Sequence, residues 1–482
     1  MGSRKIAAAV ILGFAIQAVA GISTNAQEKQ AKAVDEIFAD LAKEGSPGCA
    51  LAVARAGKII YEKGYGLANI EQNVDITPQS IFDIGSTSKQ FTAASILLLE
   101  KQGKLSVNDD IRKYLPEVPD YGHKITILHM LNHTSGLRDY LTLFELAGVN
   151  TDSVTTDDDA LAIIARQKAL NFEPGSDWLY SNSGYFLLSV IVRRVSGKTL
   201  REFAAENIFA PLEMNHTVYR NEHTQLVAKR ALAYQPKKSE PGYTLDVSYF
   251  EQTGDGAVHT SVEDILKWDE NFYSARVGGK DFLEELQLPA KLNSGKTEAY
   301  SKGLIVGSYR GLKAVSHGGS WGGYRAQLLR FPDQHFSVAC LCNVGNADPG
   351  KRADRVAGIF LTNEMKEPPP APKPDPEDPA RRETVQISAE KTREYEGNFS
   401  SDELVATYAL KATNDGLILN SIRSGDGFIH SSQPLTLRAV GVDTFAVDDE
   451  GLQFQFERDA NRKVSGFKLD AGRTKGLVFH KN

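Results

Sequence analysis

Cysteine is scarce in this chain: Cys49, Cys340 and Cys342 are the whole complement of 482 residues. So few thiols cannot organise a chain of this length. Its stability must come from apolar burial, and a 41% hydrophobic content is enough for at least one large core. Cys340 and Cys342 sit two apart in the strand-like FSVACLCNV, on the same side but not facing each other. The three are read as buried thiols acting as small hydrophobes, with a bond from Cys49 to either of the others left open. Basic excess is also missing. Lys+Arg 55 against Asp+Glu 61 gives a formal charge of -6, and no basic block is present that could track phosphates, which argues against nucleic acid as a partner.

Long apolar runs are absent after the N-terminus. The one at Ile6 to Ala20 is shorter than the roughly 20 residues a spanning helix needs. It follows Arg4 and Lys5 and closes on the small residues Ala18-Val19-Ala20, with Thr24-Asn25-Ala26 as a second cleavage point. This is the layout of a secretory signal peptide over residues 1–26, with an uncleaved anchor as the competing reading. The expectation is a periplasmic or secreted protein without a stable membrane span after cleavage.

What is there divides into two parts. Val34, Ile37, Phe38 and Leu41 recur at helical spacing, and CALAVARAGKIIYEKGYGLAN reads as two β segments around Ala56-Gly57-Lys58. Helix signals dominate the middle: Thr87 to Gln102, Gly184 to Val195, and the capping boxes Thr199/Glu202 and Thr260/Glu263. Strand character returns in YRAQLLRFPDQHFSVACLCNV. Strands first and last with helices between predict an α+β unit over 27–365, in which the two ends of the chain share a sheet. A proline-rich linker at 366–382 follows, then a small all-β module, barrel or sandwich, at 383–482. A linker of that composition predicts separable units, with residues 27–365 folding alone and the β module shading a cleft.

Three motifs carry chemistry. Ser86 and Lys89 are one helical turn apart where GSTSK opens an apolar helix. A serine at a helix start meets unpaired N–H groups that favour a developing anion, and a lysine one turn on serves as its base when neutral. Ser-x-x-Lys also occurs at Ser388/Lys391 and Ser465/Lys468, but only Ser86 begins a long apolar helix. The second motif is Tyr180-Ser181-Asn182, placed between a Pro-Gly turn and another apolar helix. The third is His317-Gly318-Gly319 in SHGGSWGGYRA, whose glycines let backbone approach a ligand and supply an oxyanion N–H. Arg325 is a candidate reader of a substrate carboxylate. His133 is read as ending a helix and capping a turn, and Trp178, Trp321 and Tyr324 as candidate pocket walls or ordinary packing.

In this order the three motifs resemble the penicillin-recognising serine hydrolases: class C β-lactamases, D-alanyl-D-alanine carboxypeptidases, D-aminopeptidases and esterases of the same fold. ILHMLNHTSGL, GDGAVHTSVEDILKW and LCNVG extend the resemblance over Ala33 to Asn363, and the C-terminal module resembles the lipocalin-like domains attached to some of these peptidases. The resemblance implies Ser86 as acylated nucleophile, Lys89 as base or proton relay and Tyr180 as proton donor to the leaving group. Asn182 would bind the substrate amide, Ser86 and Ser320 would offer oxyanion N–H groups, and His317 would stand where β-lactamases have lysine. No metal or cofactor is implied. The partner is a small-molecule or peptide substrate. A mostly neutral His317 favours peptidase or esterase over β-lactamase, with carboxylate binding strengthening as pH falls through about 6.5. The remaining alternative is a non-catalytic ligand-sensing protein, which has no reason to keep all five polar residues.

Overall fold

Strands Cys49–Arg55 and Lys58–Tyr65 form a hairpin whose two turn residues, Ala56 and Gly57, both take positive φ (49° and 73°), the backbone that a tight two-residue turn requires. The structure is a computed structural model and describes residues 28–149, 153–369, 384–413, 416–424, 429–430, 434–447 and 451–482. The leader read at 1–26 and most of the proline-rich linker lie outside the described residues. Among the described residues no helix is long and apolar enough to cross a membrane.

The hairpin sits at one end of a seven-stranded antiparallel sheet, in the order Tyr300–Ser301, Leu304–Tyr309, Leu312–Trp321, Tyr324–Phe331, Phe336–Cys342, Cys49–Arg55, Lys58–Tyr65. The first and last parts of the unit therefore pair, as the strand–helix–strand order predicts. Register explains the cysteines. Cys49 stands opposite Cys342 and the two form a disulfide, whereas Cys340 stands opposite Leu51 and remains a buried thiol. The reading of three free thiols is corrected accordingly.

The period of two along Cys49–Arg55 sorts its side chains onto two layers. Leu51 and Val53 pack with Val34, Phe38, Val356 and Leu361 on one face, while Ala50 and Ala52 join the larger core on the other. In that larger core the helix Lys89–Lys101 buries every residue from Lys89 to Leu97, as a helix surrounded by other elements must, and packs against the helix Asn182–Ser196. The Thr199/Glu202 capping box is present. The second box shifts by one residue: Ser261 caps Val262–Ser274 by accepting from Asp264 N–H, because Thr260 is held in a strand with its hydroxyl on Thr217.

The C-terminal module is a closed antiparallel barrel of eight strands. The strands Gly397–Ser401, Ala406–Thr413, Gly416–Ser424, Leu435–Gly441, Thr444–Val447, Leu452–Arg458, Val464–Ala471 and Thr474–Lys481 pair in succession, and the last returns to the first. Its interior is filled by rings, with Phe467 at 4.6 Å from Phe479, 5.1 Å from Phe399 and 5.2 Å from Phe454 between centroids.

The barrel also meets the first unit directly, a contact that linker composition cannot reveal. Arg138, buried, donates to Glu403 Oε1 at 2.7 Å and to the carbonyls of Lys475 and Gly476, while Tyr408 O–H reaches Leu146 O at 2.7 Å. The ion pair is almost wholly out of water (1% and 4% exposed side chains). Removing one partner of such a pair strands the other charge at about 3–5 kcal/mol, whereas replacing both with apolar groups is close to neutral. Glu403→Ala is expected to lower unfolding stability by that amount and Arg138→Met/Glu403→Leu by far less, read from urea denaturation.

Candidate active site

Ser86 lies on a 3-10 turn, Gly85–Ser88, that runs directly into the helix beginning at Lys89. Asp83 holds the turn by accepting Gly85 N–H at 2.8 Å. Lys89 has no exposed surface, and its Nζ donates to Ser86 Oγ at 3.1 Å, to Asn182 Oδ1 at 2.9 Å and to the carbonyl of Asp255 at 2.5 Å. The expected one-turn spacing thus brings Ser86 and Lys89 into hydrogen-bond contact.

Asn182 opens its helix, and its backbone N–H is held by Asp139 Oδ2 at 2.6 Å. With Oδ1 taken by Lys89, Asn182 has its Nδ2 free among the described residues to donate to a bound group. Tyr180 precedes it in the loop, and its hydroxyl is buried with no hydrogen-bond partner among the described residues. The hydroxyl of Tyr300 is the polar group acting with it, so the phenol keeps its proton available at the edge of the cleft. The Tyr180 ring is fixed from behind by His133, 4.1 Å away between centroids. His133 does follow a helix, at positive φ (58°), but its role extends beyond that turn: Nδ1 accepts Ser181 N–H at 3.2 Å. Burial first, then the charge of Lys89, hold His133 well below the usual histidine range, so it is a neutral support.

The strand Leu312–Trp321 forms the opposite wall. A Cβ on Gly319 would fall 1.9 Å from the carbonyl oxygen of Ile84, and one on Gly85 (φ 47°) would fall 2.8 Å from Ser320 N. Two missing Cβ atoms let this strand lie against the serine turn, bringing Ser320 N–H beside it. His317 is buried, and as a neutral ring it donates from Nδ1 to Gly318 O at 2.6 Å and accepts at Nε2 from Tyr300 O–H at 3.2 Å. Burial pushes its pKa down to about 4, so the expected titration near 6.5 is corrected: loss of solvent outweighs everything else around the ring. Arg325 faces the cleft, but its Nη1 donates to the carbonyls of Gly322 and Tyr324, at 2.6 and 2.7 Å.

Two cavities meet at Ser86. One of about 780 Å³ is lined by Trp178, Tyr180, Tyr300, His317 and Arg325, and one of about 300 Å³ by Asn182, Asp255, Trp321, Arg220 and Arg230. Ser86, Ser320 and Arg473 line both. Arg473 comes from the barrel, in the turn between its last two strands, and its guanidinium carbon lies 4.7 Å from the Tyr180 ring centroid. Sequence reasoning missed Arg473, Asp139, Tyr140 and Asp255. Three of these sit inside or beside segments that carry the family resemblance, while nothing local marks Arg473. Asp255 accepts Tyr140 O–H at 3.0 Å, and burial raises its carboxyl to about 6. Trp178 and Trp321 are pocket walls. Tyr324 lines the smaller cavity with its hydroxyl tied to Ala231 O at 2.6 Å.

The other Ser-x-x-Lys pairs are structural. Ser388 caps a short helix through Lys391 N–H, and Lys468 pairs with Glu457 on the barrel surface.

A helical layer on an antiparallel sheet, with serine and lysine at the start of its central helix, defines the β-lactamase/transpeptidase-like fold. The sequence profile of the Beta-lactamase family matches residues 34–375, and the chain belongs to that family of serine hydrolases. It is 31% identical over 330 residues to penicillin-binding protein 4* of Bacillus subtilis (strain 168), covering 66% of this chain and 72% of that protein. It is 28% identical to a D-aminopeptidase of Gluconobacter oxydans (strain 621H), covering 62% of this chain and 56% of that one. Among solved structures, the octameric penicillin-binding protein homologue from Pyrococcus abyssi shares the fold over 94% of this chain and 99% of its own, with a TM-score of 0.62 at 24% identity. The D-amino acid amidase from Ochrobactrum anthropi SV3 shares it over 70% of this chain and all of its own, with a TM-score of 0.58 at 22% identity.

The neutral state of His317 is a stability statement. Its folded pKa of about 4 lies below the unfolded value near 6.5, so between these pH values the unfolded chain binds a proton that the fold refuses. The stability that depends on the neutral ring is intact above 6.5 and is lost as pH falls towards 4. His317→Gln, lacking that proton, is expected to lose about 3 kcal/mol less than the parent between pH 7 and pH 4 in denaturant titrations.

Proposed function

We propose that this chain is an exported hydrolase that forms an acyl-enzyme on Ser86 and cleaves peptide, amide or ester bonds, in the manner of a D-aminopeptidase, carboxypeptidase or esterase. The observation that carries the proposal is the contact of Lys89 Nζ with Ser86 Oγ at 3.1 Å, beneath a buried phenol without a partner. Lys89 in its neutral form takes the Ser86 proton as Oγ attacks the carbonyl carbon. The resulting oxyanion is met by the N–H groups of Ser86 and Ser320. Asn182 Nδ2 steadies the acyl part of the substrate, Tyr180 O–H gives its proton to the departing nitrogen or oxygen, and water then releases the acyl group by the reverse traffic of protons. Since Tyr180 lines only the larger cavity and Asn182 only the smaller, the leaving group takes the first and the acyl group the second.

Export to the periplasm or the medium is supported by the leader-like segment and by the Cys49–Cys342 disulfide, a bond that persists in oxidising compartments. The class C-like β-lactamase reading uses the same residues. Against it stands a His317 that is neutral at pH 7, so the position where the resemblance puts a lysine in β-lactamases offers no charge to a β-lactam carboxylate, and Arg325 beside it has its Nη1 engaged by backbone carbonyls.

Ser86→Ala is expected to abolish turnover with the fold retained by circular dichroism, and the parent treated with a slow substrate should gain mass on the peptide that contains Ser86. Lys89→Arg should be nearly inactive, since a guanidinium keeps its proton near neutrality. Against 4-nitrophenyl esters, a D-residue peptide panel and a chromogenic cephalosporin, the cephalosporin should have the lowest kcat/KM. Adduct on another serine would overturn the site, and a leading cephalosporin would install the β-lactamase reading.

A further inference from the structure

The smaller cavity has a wall of cationic donors that the hydrolytic step does not use. Arg220 and Arg230 line it beside Asp83, His259 and Tyr324. Arg230 is half-buried, and its guanidinium makes no hydrogen bond or ion pair among the described residues. Arg220 donates from Nη2 to the carbonyl of His223, but its Nε is buried without an acceptor. The two like charges lie close enough for Arg230 to add to the burial that already disfavours the charged form of Arg220. Asp83 feels the charge of both arginines but spends Oδ1 on Gly85 N–H, and Glu251, the other carboxylate acting on Arg220, is bonded to His223; among the described residues neither makes a hydrogen bond or ion pair with Arg220 or Arg230. An unpaired guanidinium at a cavity wall, as on Arg230, calls for an oxyanion, and the charge of Arg220 on the same wall adds to the attraction for a carboxylate.

We propose that this cavity is a subsite for an acyl group that ends in a carboxylate, held by Arg230 and Arg220, so that the preferred substrates are esters or amides of dicarboxylic acids or acidic residues. The inference rests on the reading of Ser86 as nucleophile with the acyl group on the Asn182 side. A cavity of about 300 Å³ fits a short chain of this kind. Arg473, exposed and lining the same cavity, adds a third positive charge from the barrel side and attracts the same ligand.

Mono-4-nitrophenyl adipate and 4-nitrophenyl hexanoate have acyl chains of equal length and differ in the terminal carboxylate. The parent enzyme is expected to favour the adipate at least tenfold in kcat/KM at low salt, with the preference eroding in 0.5 M NaCl. Arg230→Gln should reduce the adipate-to-hexanoate ratio at least tenfold, through KM for the adipate; a merely structural role for Arg230 would lower both substrates together and leave the ratio unmoved. If the parent turns over hexanoate as well as or better than adipate, the subsite is wrong and the hydrolase reading stands. If it releases nitrophenol from neither, the hydrolase reading falls and the subsite with it. The parent's preference needs no variant, so a misfolded Arg230→Gln leaves the test decisive.

Discussion

A lysine with no exposed surface needs an acceptor for each of its protons, and Lys89 finds them on three separate segments: Ser86 Oγ, Asn182 Oδ1 and the carbonyl of Asp255. The rest of the site depends on that convergence. Asn182 is held in place by Asp139, and Asp255 by the hydroxyl of Tyr140, so two of the three anchors are fixed by consecutive residues. The residue just before them is Arg138, whose buried partner is Glu403 in the barrel. A chain of short polar contacts therefore runs from the barrel surface to the amine beside Ser86. Each link is buried, where an unmade hydrogen bond is expensive, and this gives the arrangement its rigidity.

Burial also decides which groups respond to pH. Histidine is ordinarily the side chain that titrates near neutrality, yet His133, His259 and His317 are all pushed down by loss of solvent, His259 to about 3 and His317 to about 4. The same desolvation acts on acids with the opposite sign, raising the carboxyls of Asp83 and Asp255 to about 6. Near neutral pH the active pair of buried titrating groups is thus two carboxyls in the smaller cavity, one beneath the Gly85 turn and one beside Lys89. A cleft whose histidines stay neutral draws positive charge from the arginines that line it.

What was legible in the sequence follows the range over which each feature is encoded. Ser86 and Lys89, three apart at the start of an apolar run, and Tyr180 with Asn182 before another, are local patterns that helix geometry converts into one face and one cleft. The Gly319 environment was legible as a glycine-rich approach, but its partner, the Ile84 carbonyl, belongs to a segment more than two hundred residues earlier. Pairings of that kind were out of reach. Cys342 rather than Cys340 meets Cys49 because of sheet register, and only a two-residue shift in that register would exchange them. The protonation state of His317 depends on how Tyr300 and its neighbours exclude water, and the cap at Ser261 on which side of a strand end Thr260 is held. Alternation and turn residues marked the barrel strands, but their closure came from the last strand returning to the first.

The barrel bears on the composition of the cleft. Its interior is packed with phenylalanine rings, so its outer turns are what it offers to the site. One of those turns delivers Arg473 over Tyr180, and the neighbouring carbonyls of Lys475 and Gly476 are tied to Arg138. One of the two hairpins that hold the barrel against the hydrolase unit, the other being that of Glu403 and Tyr408, is therefore the hairpin that lines both cavities. Docking and cleft composition cannot vary independently, since any shift of this hairpin that loosens Arg138 also withdraws a guanidinium from the face of Tyr180. The barrel is in this way a wall of the site, and its placement over the cleft is supported by a buried ion pair between residues 138 and 403 of the chain.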